Sequence, residues 1–136
     1  MQFALTKIDG QSFIIQRVGK REFTRTPRET IDGQVAAIAD CYASIDGIHK
    51  AAQVTQQQIE EALIDGQPTA ALRAELEAAN SRISGLTEDI AAAHENIRTI
   101  YLMIDADEAR ALMAAQEARL AALVSPYDEA LKELTQ

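Results

Sequence analysis

The chain has 136 residues, of which 47% are hydrophobic but only 4% aromatic, and its formal net charge at pH 7 is −8. This length suits one domain, and a core built from Ile, Leu, Val and Ala is typical of packed helices, not of an all-β fold. The single cysteine, Cys41, excludes an intrachain disulfide, and the absence of any stretch of 18 or more apolar residues argues against a membrane span.

The first 25 residues predict a β-hairpin head. Two segments rich in strand-forming side chains flank Asp9-Gly10, a dipeptide suited to the positive φ angles of a type I′ turn. Pairing about this turn places Leu5 opposite Ile14 and leaves apolar side chains on both faces of the hairpin. Because a two-stranded ribbon is marginal in water, a third strand near residues 22–24, the helical body or strands of another chain should complete it.

Residues 27–104 predict a long antiparallel helical hairpin. Residues 26–29 (Thr-Pro-Arg-Glu) combine a Thr N-cap, Pro in the first turn and Glu three residues after the cap. Residues 65–68 (Asp-Gly-Gln-Pro) contain a Gly suited to ending one helix and a Pro suited to the first turn of the next. The segment therefore divides into two helices, over residues 27–64 and 68–104.

The hydrophobic pattern of both helices is a heptad repeat in which seam positions are spaced alternately by four and three. In the first helix the seam is Ile31, Val35, Ile38, Tyr42, Ile45, His49, Ala52, Gln56, Ile59 and Leu63. In the second helix it is Leu72, Leu76, Ala79, Ile83, Leu86, Ile90, Ala93, Ile97, Ile100 and Ile104. A fold at the connection pairs the lists in layers, such as Ile45 with Ile90 and Tyr42 with Ala93. The alternatives are a break near Gly47 or near Gly85, and a hairpin swapped between copies.

Residues 106–136 predict one or two shorter helices packed on the base of the hairpin. One should run from the acidic cap at Asp105 to about Val124, and Ser125-Pro126 should begin a final short helix. The apolar stripe of the longer helix is Ala109, Leu112, Met113, Leu120 and Leu123.

A helix of this length covers only half of the hairpin, so it must return along the end where it began. Cys41, Ile48 and Met103 lie beside the seam there, and we expect the helix to pack on them. The base would then contain three helices, near residues 30–48 and 87–124. Residues 50–84 would project from this base as a two-helix arm.

Sequence patterns of enzymes, cofactor sites and metal sites are absent, so we predict no catalytic residue, no cofactor and no metal. The seam residues occupy positions a and d of each heptad, lettered a to g. Cys41 and His94 fall at the same height of the hairpin, but Cys41 is at position g and His94 at position e. These positions lie on opposite flanks of an antiparallel seam, so the two side chains should not form a nucleophile and base. We interpret His49 and Gln56, polar residues in the seam, as determinants of register or of a subunit interface. A protonation switch at His49 is the alternative.

Charge is divided unevenly along the sequence. Residues 1–28 hold six basic and two acidic groups, a net charge of +4, which leaves −12 for residues 29–136. Five of these basic groups and the aromatic among them are the candidate partner-binding residues: Arg17, Lys20, Arg21, Phe23, Arg25 and Arg28. The acidic body disfavours nucleic acid, because it would repel a phosphate backbone that extended past the head.

The incomplete ribbon, the long seam and the split charge favour a non-enzymatic assembly or adaptor protein. It would act through protein–protein interaction and self-association, as a dimer or trimer. Small proteins of this shape occur among bacteriophage structural and accessory components, so a phage origin is one hypothesis. The alternative is a small acidic inhibitor or sequestering protein that blocks a host enzyme or binds an anionic ligand at a subunit interface. The first twenty residues lack the apolar core of a signal peptide, so we expect a cytoplasmic protein, or one of a virion or host cytoplasm if a phage encodes it.

Overall fold

A computed structural model describes residues 2–124 of the chain. The elements in chain order are β1 (Gln2–Ile8), β2 (Gln11–Val18), β3 (Arg21–Arg25), α1 (Pro27–Ile64), α2 (Ala70–Met103) and α3 (Ala106–Val124). This order confirms the predicted fold class of a β head, a long helical hairpin and a shorter C-terminal helix. The final short helix predicted from Ser125 lies outside the described residues.

The three strands form one antiparallel sheet in the order β1-β2-β3. Asp9 and Gly10 have φ angles of 53° and 79°, and two positive values at the centre of the loop identify the predicted type I′ turn. The resulting register pairs Leu5 with Ile14, as predicted. The expected third strand is β3, which extends one residue further at each end than residues 22–24.

Ile14 joins the sheet to the helices. Its side chain is completely buried, and it belongs to the same core cluster as Ile31 of α1. Phe3 of β1 packs against this cluster as well. Because side chains alternate across a strand, Phe13 and Ile15 point to the opposite face of the sheet, where both are partly exposed. The sheet therefore has an inner face against the helices and an outer face that the described elements leave open.

The predicted cap begins α1. The Thr26 hydroxyl accepts a hydrogen bond of 3.2 Å from the Glu29 amide and donates one of 3.0 Å to the Glu29 carboxylate. The helix then continues for 38 residues without a break at Gly47, a length of about 57 Å at 1.5 Å per residue. Within residues 2–124, no helix combines the length and the apolar character that crossing a bilayer requires.

The connection between α1 and α2 is a Schellman motif. Gly66 has a φ angle of +68°, and the Gln67 amide donates a hydrogen bond of 2.8 Å to the Ala62 carbonyl. Pro68 lies in the connection, not in the first turn of α2 as predicted. The helix begins at Ala70 because Thr69 acts as its N-cap, with the Thr69 carbonyl accepting the first intrahelical hydrogen bond, from Arg73 at 2.9 Å.

The predicted seam is the core of the hairpin. Every buried residue of α2 is a predicted seam residue: Ile83, Ile90, Ala93, Ile97 and Ile100. Six seam residues of α1 are buried as well: Ile31, Val35, Ile38, Tyr42, Ile45 and Ile59. Along the arm fewer seam residues are buried, since Gln56 is exposed and Leu63 retains 58% of its accessible surface, although Ile59 between them is 3% exposed. The seam is therefore packed more continuously at the base of the hairpin than along the arm.

Residues at g positions of both helices meet on one side of the hairpin, which we call the g flank. Asn96 donates a hydrogen bond of 3.1 Å to the Gln34 side chain there. One heptad further along each helix, Cys41 lies close enough to Asp89 for the carboxylate to raise the thiol pKa. Two such pairs, one heptad apart, agree with the register predicted from the seam.

The third helix packs on the other side, which we call the e flank, and this corrects the prediction that it lies on Cys41, Ile48 and Met103. Gln116 and Arg119 of α3 instead donate hydrogen bonds to Asp32, an e residue of α1. The physical reason is that a buried amide such as that of Gln116 needs a polar acceptor, which a hydrophobic pattern does not reveal. Met113, placed in the apolar stripe by the prediction, is 44% exposed.

Candidate partner-binding surface

An aromatic ring on β3 holds two cations. Arg21, Phe23 and Arg25 alternate along the strand, so their side chains share one face of the sheet. The guanidinium carbon atoms of Arg21 and Arg25 lie 5.8 Å and 5.1 Å from the centre of the Phe23 ring. Both distances are in the range of cation–π attraction. The ring therefore orients two guanidinium groups whose hydrogen-bond donors remain available to a partner.

The other predicted head residues are not all equivalent. Arg17 lies on the opposite face and donates to Glu22, its cross-strand partner, at 3.1 Å. Because Glu22 neutralises its charge, Arg17 is not one of the unpaired cations of the head. Among residues 2–124, no ion pair with a carboxylate involves the other four basic candidate residues: Lys20, Arg21, Arg25 and Arg28. All four are exposed. The structure thus separates four available cations from one that is already paired.

The strand β3, which carries Arg21 and Arg25, is an open edge of the sheet. In the described part of the chain, β3 pairs only with β2, and four of its five residues are exposed. The backbone N–H and C=O groups on its outer side therefore have no strand partner. An exposed edge of this kind can accept an extended segment of another chain as an additional strand.

The outer face of the sheet is a second apolar surface of the head. Phe13 and Ile15 are partly exposed in the middle strand, and Ile8 at the end of β1 retains 50% of its accessible surface. The predicted register, which placed apolar side chains on both faces, is confirmed. This face offers apolar contacts to a chain bound at either edge of the sheet. Arg21 and Arg25, which would neutralise a charged partner, lie on the other face.

The two polar seam residues lie in different surroundings. His49 is half-buried, whereas Gln56 is exposed on the arm. The Gln56 amide is therefore not a buried polar group of the hairpin core, and its position leaves it accessible to another chain. The assignment of both residues to register or to an interface stays a prediction.

Cys41 is in surroundings that oppose nucleophilic chemistry. Burial raises the pKa of its thiol, and the nearby carboxylates of Asp89 and Asp40 raise it further. A raised pKa keeps the sulfur protonated at neutral pH, whereas nucleophilic cysteines need a lowered one. His94 is exposed and does not contribute to the shift. In residues 2–124, no three His, Cys, Asp or Glu side chains are grouped as metal ligands would be.

The arm contains a groove that the sequence analysis did not identify. It has a volume of about 570 Å³ and lies on the g flank, two and three heptads beyond Gln34 and Asn96. Small residues such as Gly47, Ala51 and Ala78 form much of its lining, and Glu75 and Arg82 lie at its sides. The signal that could have revealed it is the run of small residues at c positions, next to the g positions.

Comparisons of the chain with protein-family models, with curated proteins and with solved structures find no match.

Proposed function

We propose that this chain is a non-enzymatic assembly or adaptor protein that binds another protein chain through its β-sheet head and also self-associates. The observation that supports the proposal is the placement of Arg21 and Arg25 against Phe23 on an open edge strand. This arrangement provides main-chain hydrogen-bonding groups and two oriented cations on the same strand.

The chemistry of this edge favours an extended acidic segment. A partner strand alongside β3 would satisfy the free N–H and C=O groups, and its carboxylates could accept paired hydrogen bonds from the guanidinium groups. Arg21 and Arg25 are four residues apart on one face, with Phe23 between them. The best partner sequence therefore has acidic residues at positions i and i+4 and an apolar residue at i+2. The ring contacts restrict both arginines before binding, which lowers the entropic cost of fixing them.

The charge of the rest of the chain selects against a different class of partner. Residues 29–136 carry a net charge of −12. A nucleic acid long enough to pass the head would meet this negative charge, whereas a short acidic peptide at the edge strand would not. An acidic protein segment is therefore the partner that the proposal names.

The proposal can be tested with a fluorescent peptide that carries Glu at positions i and i+4 and Val at i+2, measured by anisotropy with the full chain. We expect binding that weakens between about 0.1 M and 1 M salt, over which the Debye length falls from about 10 Å to 3 Å. The variant R21E/R25E should lose binding. The variant R73E/R98E is the matched control, because it makes the same change in net charge at exposed sites of α2.

Two results would contradict the assignment of the head. One is the absence of peptide binding at both salt concentrations. The other is equal loss of affinity in R21E/R25E and R73E/R98E, which would mean that net charge and not the edge strand controls the interaction. A peptide with Lys in place of Glu should not bind, because it would place like charges beside both arginines.

A further inference from the structure

The arm groove lies on the flank of the hairpin that α3 does not cover. The g flank continues beyond Cys41 and Asp89 along the arm. Its residues there are Ile48 and Thr55 of α1 and Glu75 and Arg82 of α2. The third helix covers the e flank, where it bonds to Asp32. The g flank of the arm is therefore open in the described part of the chain, and a second pair of helices could approach it.

The residues beside the groove suit close approach of another helix. The c positions of α2 are all small and uncharged: Ala71, Ala78, Gly85, Ala92 and Thr99. The corresponding positions of α1 between residues 37 and 58 are Ala37, Ser44, Ala51 and Gln58. These two rows of uncharged side chains, most of them small, allow backbones to pack closely without the burial of a charge. Other surfaces of the arm carry charges, such as those of Glu60, Arg73 and Glu77.

Two charges of opposite sign lie at the sides of the groove. Glu75 and Arg82 both occupy g positions of α2, one heptad apart, which is about 10.5 Å along the helix. Within residues 2–124, neither side chain forms an ion pair. They are therefore a complementary pair of charges that the single chain does not use.

We infer that a second copy of this chain occupies the groove, as an antiparallel dimer in which Glu75 of each copy contacts Arg82 of the other. In such a dimer the two-fold axis lies between the two copies, perpendicular to the helices, and passes α2 at the level of Ala78 and Ala79, midway between the two charges. An interface of this kind must be self-complementary, so that one residue of each copy meets the other residue of its partner. Glu75 and Arg82 carry opposite charges at equal distances from the axis, so the dimer contains two Glu75–Arg82 contacts that meet this condition.

The charges also select the direction of packing. With a two-fold axis parallel to the helices, each Glu75 would lie at the level of the other Glu75, and each Arg82 at the level of the other Arg82. Like charges across an interface disfavour that arrangement. On α1 the antiparallel arrangement places Ile48 at the level of Thr55 of the second copy, without a charge in either position.

The dimer would place the two partner-binding heads at defined positions. The heads are about 24 residues from the axis, so they would lie at opposite ends of a rod, about 70 Å apart at 1.5 Å per residue. Two heads on one rod could hold two acidic partners, with the gain in avidity that bivalence provides. Only this role depends on the proposed function. The dimer itself depends on the groove and its charges.

The test is the oligomeric state of the full chain, measured by analytical ultracentrifugation over a range of concentrations. We expect the wild type to dimerise, and E75R and R82E each to raise the dissociation constant by about tenfold or more, because each places like charges together at both contacts. The double variant E75R/R82E exchanges the charges, so it should restore the wild-type dimer. Circular dichroism of each variant establishes that the helices are retained.

A cross-linking pair tests the position of the axis in a Cys41→Ala background. Ala78→Cys should form a disulfide between copies, because position 78 lies beside the axis. The matched control is Ala92→Cys on the same face, about 20 Å from the axis, which should not cross-link. A wild type that is monomeric at all concentrations, a double variant that fails to recover, or cross-linking at 92 instead of 78 would overturn the inference. Peptide binding by the head would be unaffected by any of these results.

Discussion

The side-chain amide of Gln116 donates a hydrogen bond of 2.6 Å to the carboxylate of Asp32, although the two residues are 84 positions apart. Arg119 donates to the same carboxylate oxygen at 2.8 Å and to the Gln116 carbonyl oxygen at 3.1 Å. The bond between Arg119 and Gln116 lies within α3, and the two bonds to Asp32 connect α3 to the beginning of α1. They fix which flank of the hairpin the third helix covers, and so which flank remains open.

The first prediction concerns this polar contact. Asp32→Ala should destabilise the fold by about 1–3 kcal/mol, because it leaves the buried Gln116 amide without its acceptor. Asp40→Ala, at an exposed carboxylate of the same helix, should change stability by about 0.5 kcal/mol or less. Urea denaturation measures both values, and hydrogen exchange should show that the loss of protection is greatest in α3. Equal effects of the two substitutions would contradict a specific role for Asp32.

The second prediction compares two seam residues at opposite ends of the hairpin. Ile97→Ala should cost about 2–5 kcal/mol, since Ile97 is 4% exposed and its removal leaves a cavity. Leu63→Ala should cost far less, because Leu63 is already 58% exposed. Thermal or urea unfolding of the two variants checks this difference. A similar cost at both sites would show that the arm is closed as tightly as the base.

The third prediction uses two glycines with opposite expectations. Gly66→Ala should destabilise the protein by about 1–2 kcal/mol, because φ is +68° at this position and a Cβ atom is strained there. Gly33→Ala should stabilise it by about 0.5–1 kcal/mol, because Gly33 lies inside α1 and an added Cβ meets no atom within 4 Å. The measurement is the free energy of unfolding of each variant. The prediction fails if the two substitutions have effects of the same sign.

The fourth prediction concerns the pH dependence of Cys41. Alkylation by iodoacetamide should have its midpoint above the ordinary pKa of a thiol, because burial and then Asp89 and Asp40 raise the pKa. Asp89→Asn should lower this midpoint, whereas Glu88→Gln, at an exposed carboxylate that does not contribute to the shift, should not. An unchanged midpoint in Asp89→Asn would argue against the g-flank register.

The same shift has a consequence for stability. The folded chain keeps the Cys41 proton at pH values where the unfolded chain has lost it. The contribution of this group to stability should therefore fall as pH rises above about 8.5, the usual pKa of the unfolded thiol. Denaturation of wild type and of Cys41→Ala between neutral and alkaline pH should show a steeper decline in the wild type.

Much of the fold could be predicted because its signals are local. The type I′ turn follows from Asp9 and Gly10, and the end of α1 follows from Gly66. The register of the hairpin follows from a short connection and a repeat that extends along both helices. The start of α2 was less predictable, because Pro68 suits either a first turn or the connection before it.

The candidate sites were less accessible to such reasoning. The basic residues of the head were identifiable, but the sequence did not show that Arg17 would pair with Glu22 while Arg21 and Arg25 would lie against Phe23. That division depends on the pairing of β2 with β3. The hypothesis of a bacteriophage origin and the alternative of an acidic inhibitor stay predictions.

The sequence by itself determined the helical hairpin, its register and its β head, because apolar periodicity and turn residues act over short distances along the chain. Only the tertiary structure decided which flank of the hairpin α3 covers. That choice depends on hydrogen bonds from Gln116 and Arg119 to Asp32, between residues far apart in the chain. Polar partners of this kind leave no periodic pattern in the sequence. Only the folded structure therefore shows that α3 covers the e flank and leaves the arm groove open.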